Sequence, residues 1–424
     1  MLDIKFIREN PEVVKSAATK KGVAVDVEKL LAADESRRKL LNESETLKAE
    51  QNRRSKGPQS PENMGGLKAL KEKIKVLEDE LSSVEKEYND LMLLVPNIPD
   101  ESVPDGKSDA DNKEIRKWGR PMNFSAIGGS IFGGRFKPKD YTQLMEELDL
   151  VDSERGAKVS GFRGYFLKNE AVQLSFALWQ FTINNFINKG FTPLISPAIA
   201  RGANFVGTGW LPQGKDEVYK VGDDEYLAGT AEVSVMGYHS GEILREKDLP
   251  KKYIAFSPCY RSEAGSYGKD TKGILRVHEF YKLEQIVLCR NDHEESVRWH
   301  EEITGNAEEL VQALKLPYRV VVNCAGDLGL GQIKKYDIET WLPSQEKYRE
   351  THSSSYFHDF QTRRLNIRYK GTDGKTYFAH SLNNTAFATP RILASIVENY
   401  QTKKGSIKVP KVLRKYMGGL KEIK

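Results

Sequence analysis

The sequence predicts an α+β protein in which an antiparallel sheet flanked by helices follows an N-terminal antiparallel helical hairpin. Two observations predict this class. Residues 26–94 carry two long helical patterns separated by the breaker Gly57–Pro61. From residue 165 onwards, strand patterns alternate with helices, without the glycine-rich first turn that opens a parallel βαβ unit. The 424 residues are therefore expected to form an N-terminal domain, 1–105, and a larger domain, 106–424.

The hairpin, or arm, consists of two predicted helices. Asp26 is placed to cap a helix that runs to about Ser55, and a second helix runs from about Asn63 to Leu94. The short turn between them makes the helices antiparallel. The arm is either a dimerising coiled coil or spacer, or a surface for nucleic acid. The second helix has a coiled-coil seam, because apolar residues recur at alternating spacings of three and four: Leu67, Leu70, Ile74, Leu77, Leu81, Val84, Tyr88 and Leu91.

The middle of the chain begins with a predicted linker over residues 96–120, which are rich in Pro, Asp and Ser. A helix is predicted over 165–189 and is closed by Gly190. The next segment, FTPLISPAIA, has the pattern of a strand interrupted by Pro193 and Pro197. Because proline cannot donate a ladder hydrogen bond, this strand is expected at an edge of the sheet or at an interface.

A second hairpin carries the densest set of charged side chains. Strand patterns over Tyr253–Arg261 and Ile274–Val287 flank a polar loop, Glu263–Gly273. Since burying an unpaired charge is costly, the polar face of the second strand is either the solvated side of an edge hairpin or the floor of a pocket for an anionic ligand. That face consists of Arg276, His278, Phe280, Lys282 and Glu284.

Further elements complete the predicted sheet. A helix is expected over 292–315 and a strand over 319–323, and alternation predicts strands over Phe360–Lys370 and Thr376–Leu382. The last helix starts at Thr389-Pro390 and runs to about Gln401.

Arg391 lies in the first turn of this last helix, where the positive end of the helix dipole disfavours a cation. An arginine and a helix N-terminus directed at one place suit a polyphosphate. The alternative is an arginine that turns into solvent.

Composition limits the classes of function. Hydrophobic residues make up 39% and charged residues 29% of the chain. No apolar run approaches the ~18 residues of a membrane span, and the start, MLDIKFIREN, lacks a signal-peptide core. The net charge of +5 permits a nucleic-acid partner without requiring one. The three cysteines are too far apart for a C-x-x-C pair and odd in number, which favours a reducing, cytoplasmic location. The lack of a long apolar run argues against membrane association.

Three segments, in order, resemble the motifs of class II aminoacyl-tRNA synthetases. FTPLISPAIA, with Pro197, is similar to the first motif, which lies at the dimer interface of that class. CYRSEAGSYGKDTKGILRVHEFYKLE is similar to the second motif, and NNTAFATPRILASIVENYQ to the third, whose arginine binds ATP. The segments GTAE and YRETHSSSYFHDFQTRR and the N-terminal hairpin resemble the seryl-tRNA synthetases in particular. The resemblance covers essentially the whole chain and implies a class II catalytic core behind a tRNA-binding arm.

The resemblance implies a two-step, ATP-dependent ligation of L-serine to tRNA(Ser) through seryl-adenylate, and to selenocysteine tRNA where such a tRNA exists. The cofactors it implies are ATP and Mg²⁺. The chemistry needs charge neutralisation and alignment rather than an enzyme nucleophile, which agrees with the absence of a Ser-His-Asp or Cys-His pattern.

The resemblance also assigns residues to the nucleotide. Arg261 is expected to bridge the serine carboxylate and the α-phosphate, Phe280 to stack on adenine, and Arg391 to hold the γ-phosphate. Glu350 and Ser353 are expected at the metal. His352 and Tyr356 are bulkier than is usual in the family. His352 is either a substitute polar contact or a packing variant, and it is interpreted as a packing variant. The full ATP set is Arg261, Ser262, Glu263, Phe280, Glu350, Thr351, His352, Ser353 and Arg391.

For the amino acid, Glu284 is expected to accept a hydrogen bond from the hydroxyl or ammonium of serine, and Thr385 lies beside it. Arg261, Glu284 and Arg391 are the expected catalytic residues. The full serine set is Thr230, Ala231, Glu232, Arg261, Glu284, Asn383 and Thr385.

The expected macromolecular partners are a second copy of the chain, joined through the first motif, and tRNA(Ser), contacted by the arm mainly at phosphate and sugar. The loop 264–273, with Lys269 and Lys272, is the expected contact for the tRNA acceptor end and is expected to be mobile without tRNA.

Three alternatives compete with this interpretation. A ligase of the same fold that charges a carrier protein lacks the long arm of residues 26–94. A non-catalytic tRNA- or protein-binding paralogue is expected to have lost Arg261, Glu263 or Arg391, which are all present. A coiled-coil scaffold leaves the charged pocket unexplained.

Overall fold

The protein forms two compact units, Met1–Ile98 and Pro99–Lys424. No helix in the described part of the chain is long and apolar enough to cross a membrane. The cysteines, Cys259, Cys289 and Cys324, are buried and free. The computed structural model describes residues 1–57, 60–121, 124, 136–265, 268 and 270–424.

The first unit is helical, as predicted. Its long helices are capped by side chains, because Asp26 accepts from the main-chain N–H of Lys29 at 2.8 Å and Ser60 from that of Asn63 at 3.2 Å. The two long helices pack on each other as a hairpin. The helices are α1 (Ile4–Glu9), α2 (Pro11–Lys20), α3 (Val27–Ser55) and α4 (Pro61–Leu94).

The predicted seam of α4 faces α3. Leu70 and Ile74 are buried, and the other seam residues are at least half-buried while their neighbours are exposed. Ion pairs flank the seam, with Lys29 2.8 Å from Glu87 and Lys48 2.7 Å from Glu78. Because exposed pairs contribute little, burial of the seam stabilises the arm, and its coiled-coil character is confirmed.

The base of the arm has its own small core of Ile7, Val14, Val27, Leu30, Met92 and Val95. Asp34, with a fully buried side chain, lies beside it. Nε of Arg38 donates to Asp34 at 3.0 Å, and Arg8 and Arg37 approach to within 3.5 Å. These cations offset the cost of burying the carboxylate.

The second unit combines helices with a large sheet. Its helices are α5 (Tyr141–Glu147), α6 (Ser153–Ser160), α7 (Asn169–Asn188), α8 (Gly202–Thr208), α9 (Ala231–Tyr238), α10 (His293–Ala313), α11 (Phe360–Leu365) and α12 (Thr389–Asn399). Its strands are β1 (Lys113–Trp118), β2 (Val151–Asp152), β3 (Phe166–Leu167), β4 (Thr192–Ile195), β5 (Ile199–Arg201), β6 (Tyr219–Lys220), β7 (Glu225–Leu227), β8 (Ile243–Arg245), β9 (Lys251–Tyr260), β10 (Glu279–Cys289), β11 (Tyr318–Val322), β12 (Lys334–Leu342), β13 (Lys347–His358), β14 (Arg368–Lys370), β15 (Thr376–Phe378), β16 (His380–Ala388), β17 (Ile407–Lys408) and β18 (Glu422–Ile423).

The main sheet of the described residues has eight strands in the order β1-β11-β12-β13-β16-β10-β9-β4. Neighbouring strands are antiparallel, apart from β4, which runs parallel to β9 at one edge. The edge position of β4 confirms the prediction from Pro193 and Pro197. The α+β class with an antiparallel sheet is confirmed.

Strand β10 lies inside the sheet, between β9 and β16. Its odd-numbered residues, such as Leu283 and Val287, pack in the main core. Its even-numbered residues are polar at Lys282 and Glu284 and apolar from Ile286 onwards, where α9 and α11 cover them. Since the polar residues are buried within an internal strand, the solvated-edge interpretation is wrong, and this face is the floor of a pocket.

The predicted second strand of this hairpin begins five residues too early. The ladder starts at Glu279 rather than Ile274. Ile274, Leu275 and Val277 are buried in the core without strand pairing. The main-chain oxygen of Leu275 instead accepts from Nε of Arg391 at 3.3 Å. The apolar alternation there reflects packing rather than a ladder.

Two other predictions were wrong in part. Phe360–Leu365 is helix α11, which ends where Asn366 adopts a left-handed conformation with φ of 54°. Six residues are too few for the apolar period to separate helix from strand. Within the predicted linker, Lys113–Trp118 is strand β1, paired with β11. A charged, exposed edge strand has a composition that resembles that of a linker.

Candidate active site

A cavity of about 330 Å³ opens where β9, β10, β13 and β16 meet the start of α12. The sheet register brings distant residues together here, because Glu284 on β10 pairs with Thr385 on β16. Most of the predicted site residues line this one cavity: Thr230, Glu232, Arg261, Glu263, Phe280, Glu284, Glu350, Thr351, His352, Ser353, Asn383, Thr385 and Arg391.

One end of the cavity is built around the buried carboxylate of Glu284. Nζ of Lys282 lies 2.6 Å from its Oε2, and Oγ1 of Thr385 donates to the same oxygen at 3.2 Å. Nζ of Lys282 also donates to Oγ1 of Thr230 at 2.9 Å. This end therefore contains a compact, paired set of charges with hydroxyl groups on both sides.

Glu232 supplies a second buried carboxyl at the same end. Burial, reinforced by the charge of Glu284, raises the pKa of Glu232 to about 7, although a hydrogen bond from Gln361 opposes the rise. Nε2 of Gln361 donates to Oε1 of Glu232 at 2.6 Å, and Ser381 holds the other end of that amide at 2.7 Å. The carboxyl of Glu232 is thus held by an amide that is itself fixed, and it can exchange a proton near neutral pH.

Arg261 occupies the middle of the cavity. Its Nε and Nη2 each donate to the main-chain oxygen of Gly229 at 3.3 Å. The guanidinium carbon lies 5.6 Å from the ring centre of Phe280 and 5.7 Å from that of Trp210. Rings and carbonyl fix a cation between the carboxylate end and the remaining walls.

Glu263 adopts φ of 55°, a left-handed conformation that is unfavourable for a side-chain-bearing residue. Its carboxylate accepts from Nη1 of Arg276. Nη2 of Arg349 donates to Asp270 at 2.5 Å, and Asp270 also lies 3.9 Å from Nε of Arg276. A network of alternating charges therefore holds this wall, and Arg276 is part of it.

Arg391 and Glu350 form the opposite wall. Nη1 of Arg391 lies 3.2 Å from Oε2 of Glu350 and donates to its main-chain oxygen at 3.1 Å. Although desolvation opposes ionisation, Arg391, Lys335 and Arg261 together hold the pKa of Glu350 below its ordinary value. Desolvation alone would lower the pKa of Arg391, but Glu350 raises it on balance. The guanidinium of Arg391 is thus kept ionised beside Glu350, where it can bind an anionic ligand.

Two family models match the chain, one in its N-terminal unit and one in its second unit. Residues 219–400 match the family model of the tRNA synthetase class II core domain (G, H, P, S and T), and residues 1–99 match that of the seryl-tRNA synthetase N-terminal domain. The serine--tRNA ligase of Deinococcus radiodurans is 45% identical over 99% of this chain and 98% of its own length. The chain belongs to the seryl-tRNA synthetase family.

Solved structures of the seryl-tRNA synthetase family share this fold. One is the crystal structure of seryl-tRNA synthetase from Pyrococcus horikoshii complexed with ATP. Its sequence is 44% identical to this chain, the TM-score is 0.89, and the match covers 100% of this chain and 99% of that one. The cytoplasmic serine-tRNA ligase from Naegleria fowleri in complex with AMP is 35% identical, with a TM-score of 0.87 over 100% of this chain and 99% of that one. The resemblance predicted from the motifs is confirmed.

The residues expected at Mg²⁺ in this family are Glu350 and Ser353. Three positions apart, they would point to opposite faces of a regular strand. A bulge where β13 pairs with Ile338 and Glu339 of β12 allows both to line the cavity. Among the described residues no group of three or more His, Cys, Asp or Glu side chains forms a metal cage. One carboxylate and one hydroxyl fit a Mg²⁺ ion whose other ligands are phosphates and water.

Ser262 and Ala231 are not among the residues that line the cavity. The hydroxyl of Ser262 donates to the main-chain oxygen of Asp216, and Ala231 is buried at the start of α9. Tyr356 is also away from the cavity wall, where its hydroxyl donates to Asp100 at 2.8 Å. The expectations that Ser262 contacts ATP and that Ala231 contacts serine therefore stay predictions, and no side-chain contact with the cavity supports them.

His352 lines the cavity although its ring is almost fully buried. Its Nδ1 lies 2.8 Å from Oγ1 of Thr351, and its ring centre 5.6 Å from that of Phe387. Burial lowers the pKa of His352 to about 3, so the ring is neutral at physiological pH. A neutral ring packed on a phenyl ring agrees with the interpretation as a packing variant.

Several lining residues were not assigned from the sequence: Trp210, Arg276, Lys282, Gln332 and Lys335. Arg276 and Lys282 share the polar side of the predicted strand with Phe280 and Glu284, so alternation was a usable signal for them. Lys335 lies 3.1 Å from Asp337 on β12. Nothing in the local sequence distinguishes it from a surface lysine. The loop residue Lys269 lies outside the described residues, and Lys272 is exposed.

Proposed function

We propose that this chain ligates L-serine to tRNA(Ser), using ATP and Mg²⁺, through seryl-adenylate. One observation carries the proposal: a single cavity has buried carboxylates at one end, Glu232 and Glu284, and the cations Arg261 and Arg391 at the middle and the other end. Such an arrangement suits an ammonium group at the first end and a triphosphate at the second.

In the first step, a carboxylate oxygen of serine attacks the α-phosphorus of ATP, the bond to the bridging oxygen breaks, and pyrophosphate leaves. Arg261, between the two ends, neutralises both the attacking carboxylate and the α-phosphate. Arg391 binds the terminal phosphate and aligns the leaving group, while Phe280 stacks on the base. Glu350 and Ser353 would hold Mg²⁺, which would neutralise further phosphate charge. In the second step, a hydroxyl of the 3′-terminal adenosine of the tRNA attacks the seryl carbonyl carbon and AMP leaves.

Selection of serine rests on Glu284 and Thr385. Both are buried and can hydrogen-bond the serine hydroxyl. Alanine would leave their polar atoms without that partner, which costs on the order of 1–3 kcal/mol per group. The same two residues therefore bind the correct amino acid and reject its deoxy analogue.

We infer that the arm of Met1–Ile98 binds the tRNA. Arg53, Arg54 and Lys56 are exposed at the end of α3, and Lys71 and Lys75 are exposed on α4. Such cations suit sugar–phosphate contacts, whose strength depends on salt. A separate unit for the tRNA leaves the cavity free for the small substrates.

We also infer that two copies of the chain associate through β4 and α7. An apolar groove of about 1180 Å³ runs along these elements. Ile195 on β4 is 85% exposed and Phe176 on α7 is 62% exposed, which is unusual for a free surface. The occupant that fits is a second copy of the same face, since β4 belongs to the segment that resembles the first class II motif.

The test is amino-acid-dependent exchange between ATP and pyrophosphate with the purified chain. Serine is expected to support exchange well above alanine and threonine, and serine is expected to be transferred to tRNA(Ser). A chain that activates serine but charges a carrier protein rather than tRNA would instead support the same-fold alternative. No serine-dependent exchange would falsify the proposal.

A further inference from the structure

Lys282 is a buried cation in the amino-acid end of the cavity that no motif assigns. Its side chain is 6% exposed, and it lies on β10 between Phe280 and Glu284. Nζ lies 2.6 Å from Oε2 of Glu284 and donates to Oγ1 of Thr230 at 2.9 Å. A lysine loses much side-chain entropy when it is fixed and its charge is costly to bury, so its place in a ligand cavity needs a reason.

Pairing with Lys282 changes what Glu284 presents to a ligand. The ammonium and the carboxylate together carry no net charge, and Thr385 completes the set with a neutral hydroxyl. The contacts of Lys282 and Thr385 both fall on Oε2, so Oε1 is the oxygen that the described residues leave for the ligand. The groups facing the pair from neighbouring elements are Cys259 from β9, Arg261 directly after β9, Glu232 from α9, and Asn383 from β16.

We propose that Lys282 is a specificity-determining residue that makes this pocket accept a hydroxyl, and reject an ammonium, on the β-carbon of the amino acid. The inference rests on the proposed function, because Glu284 and Thr385 must face the side chain of serine. With Lys282 in place, a second ammonium beside Glu284 meets a fixed like charge. Without Lys282, the bare carboxylate attracts a cation more strongly than a hydroxyl.

The probe is L-2,3-diaminopropionate, which has the size of serine and carries an amine in place of the hydroxyl. Its inhibition constant and the KM of serine are measured by pyrophosphate exchange at pH 6, where the second amine is protonated. For the unchanged chain, serine is expected to be preferred by at least about 100-fold. In Lys282→Met, which removes the charge and keeps the length, this preference is expected to fall at least about tenfold, with the KM of ATP unchanged.

Controls separate specificity from loss of structure. Lys282→Arg keeps the charge and is expected to keep the preference. Lys252→Met removes another part-buried lysine of the same sheet, whose Nζ donates to the main-chain oxygen of Lys189 at 2.8 Å, and is expected to change nothing. If Lys282 only supports the fold, binding of serine and of the amine analogue weakens in proportion and their ratio stays constant.

An unchanged ratio in folded Lys282→Met, or in Lys282→Gln if the methionine variant does not fold, overturns the inference while the proposed function stands. Absence of serine-dependent exchange in the unchanged chain overturns the proposed function itself. The two failures are therefore distinguishable in one series of measurements.

Discussion

Nη1 of Arg391 lies 3.2 Å from Oε2 of Glu350 and also donates to the main-chain oxygen of Glu350 at 3.1 Å. The arginine at the start of α12 is therefore fixed to β13 through both side chain and backbone. This double attachment keeps a cation at the positive end of a helix dipole, against the local preference. It also positions the guanidinium before a phosphate arrives, which lowers the ordering cost of binding.

Replacing Arg391 tests this arrangement. Arg391→Ala is expected to lower serine-dependent pyrophosphate exchange by about 100-fold or more, because the terminal phosphate loses its cation. Arg391→Lys is expected to recover part of the activity, since the charge is kept but the forked geometry is lost. Arg290→Ala is the control, because Arg290 is half-exposed and pairs with Glu295 at 2.7 Å. If Arg391→Ala exchanges pyrophosphate at a rate within twofold of that of the unchanged chain, Arg391 does not hold the terminal phosphate.

Glu232 gives a prediction about pH. Burial raises the pKa of Glu232 from 4.5 to about 7 in the folded chain. Between these values the folded state holds a proton that the unfolded state has lost, so the free energy of unfolding decreases as pH rises from about 4.5 to 7. Glu232→Gln removes the contribution of this carboxyl to the decrease. At pH 8 its free energy of unfolding is therefore expected to exceed that of the unchanged chain by up to about 3 kcal/mol.

The measurement for Glu232 is denaturant unfolding of both chains, without substrates, at several pH values. Other titrating groups are common to both chains and cancel in the difference. A difference that stays constant from pH 5 to pH 8 would show that the carboxyl is ionised throughout.

The end of the arm is expected to affect tRNA alone. Arg53→Glu combined with Lys56→Glu reverses two exposed charges on Met1–Ile98 and is expected to raise the KM of tRNA(Ser) at least about tenfold at low salt. The same variant is expected to leave pyrophosphate exchange unchanged. Glu72→Lys and Glu80→Lys reverse exposed charges of α4 from negative to positive. They serve as the comparison, because they change charge on the same arm in the opposite direction. Equal loss of exchange and charging would refute a separate role for the arm.

The apolar groove predicts the oligomeric state. Ile195→Glu combined with Phe176→Glu is expected to convert a dimer into a monomer, because burying two new charges per copy opposes association. Light scattering coupled to gel filtration measures the mass. Ile243→Glu is the matched control, since Ile243 is 54% exposed and is not among the groove residues. A mass unaffected by the double variant would show that the groove does not join two copies.

The sequence was sufficient for features carried by a period or a motif. The seam of α4 follows from spacings of three and four, and the edge position of β4 follows from its proline. Alternation gave the polar face of β10 but left a solvated edge and a pocket floor as alternatives. It was insufficient where a buried charge has a partner far along the chain. Gln361 reaches Glu232 across 129 positions, a contact that the fold alone creates.

Short elements were also difficult to predict. Phe360–Leu365 has an apolar pattern compatible with either a strand or a helix, and the left-handed Asn366 decides the outcome. Ile274–Val277 alternates like a strand, yet the carbonyl of Leu275 serves Arg391. A helix cap thus settles the first segment, and a tertiary contact outweighs local preference in the second.

The internal position of β10 affects how readily its backbone hydrogen bonds open. From Lys282 to Leu288 the strand is hydrogen-bonded to β9 on one side and β16 on the other. Amides held in this way exchange with solvent only when much of the sheet opens. The side chains of Lys282 and Glu284 are thus mounted on slowly opening backbone, whereas Glu263 and Leu275 lie on irregular backbone outside that double ladder. The carboxylate end of the cavity is therefore expected to keep its shape during local fluctuations that alter the wall around Glu263.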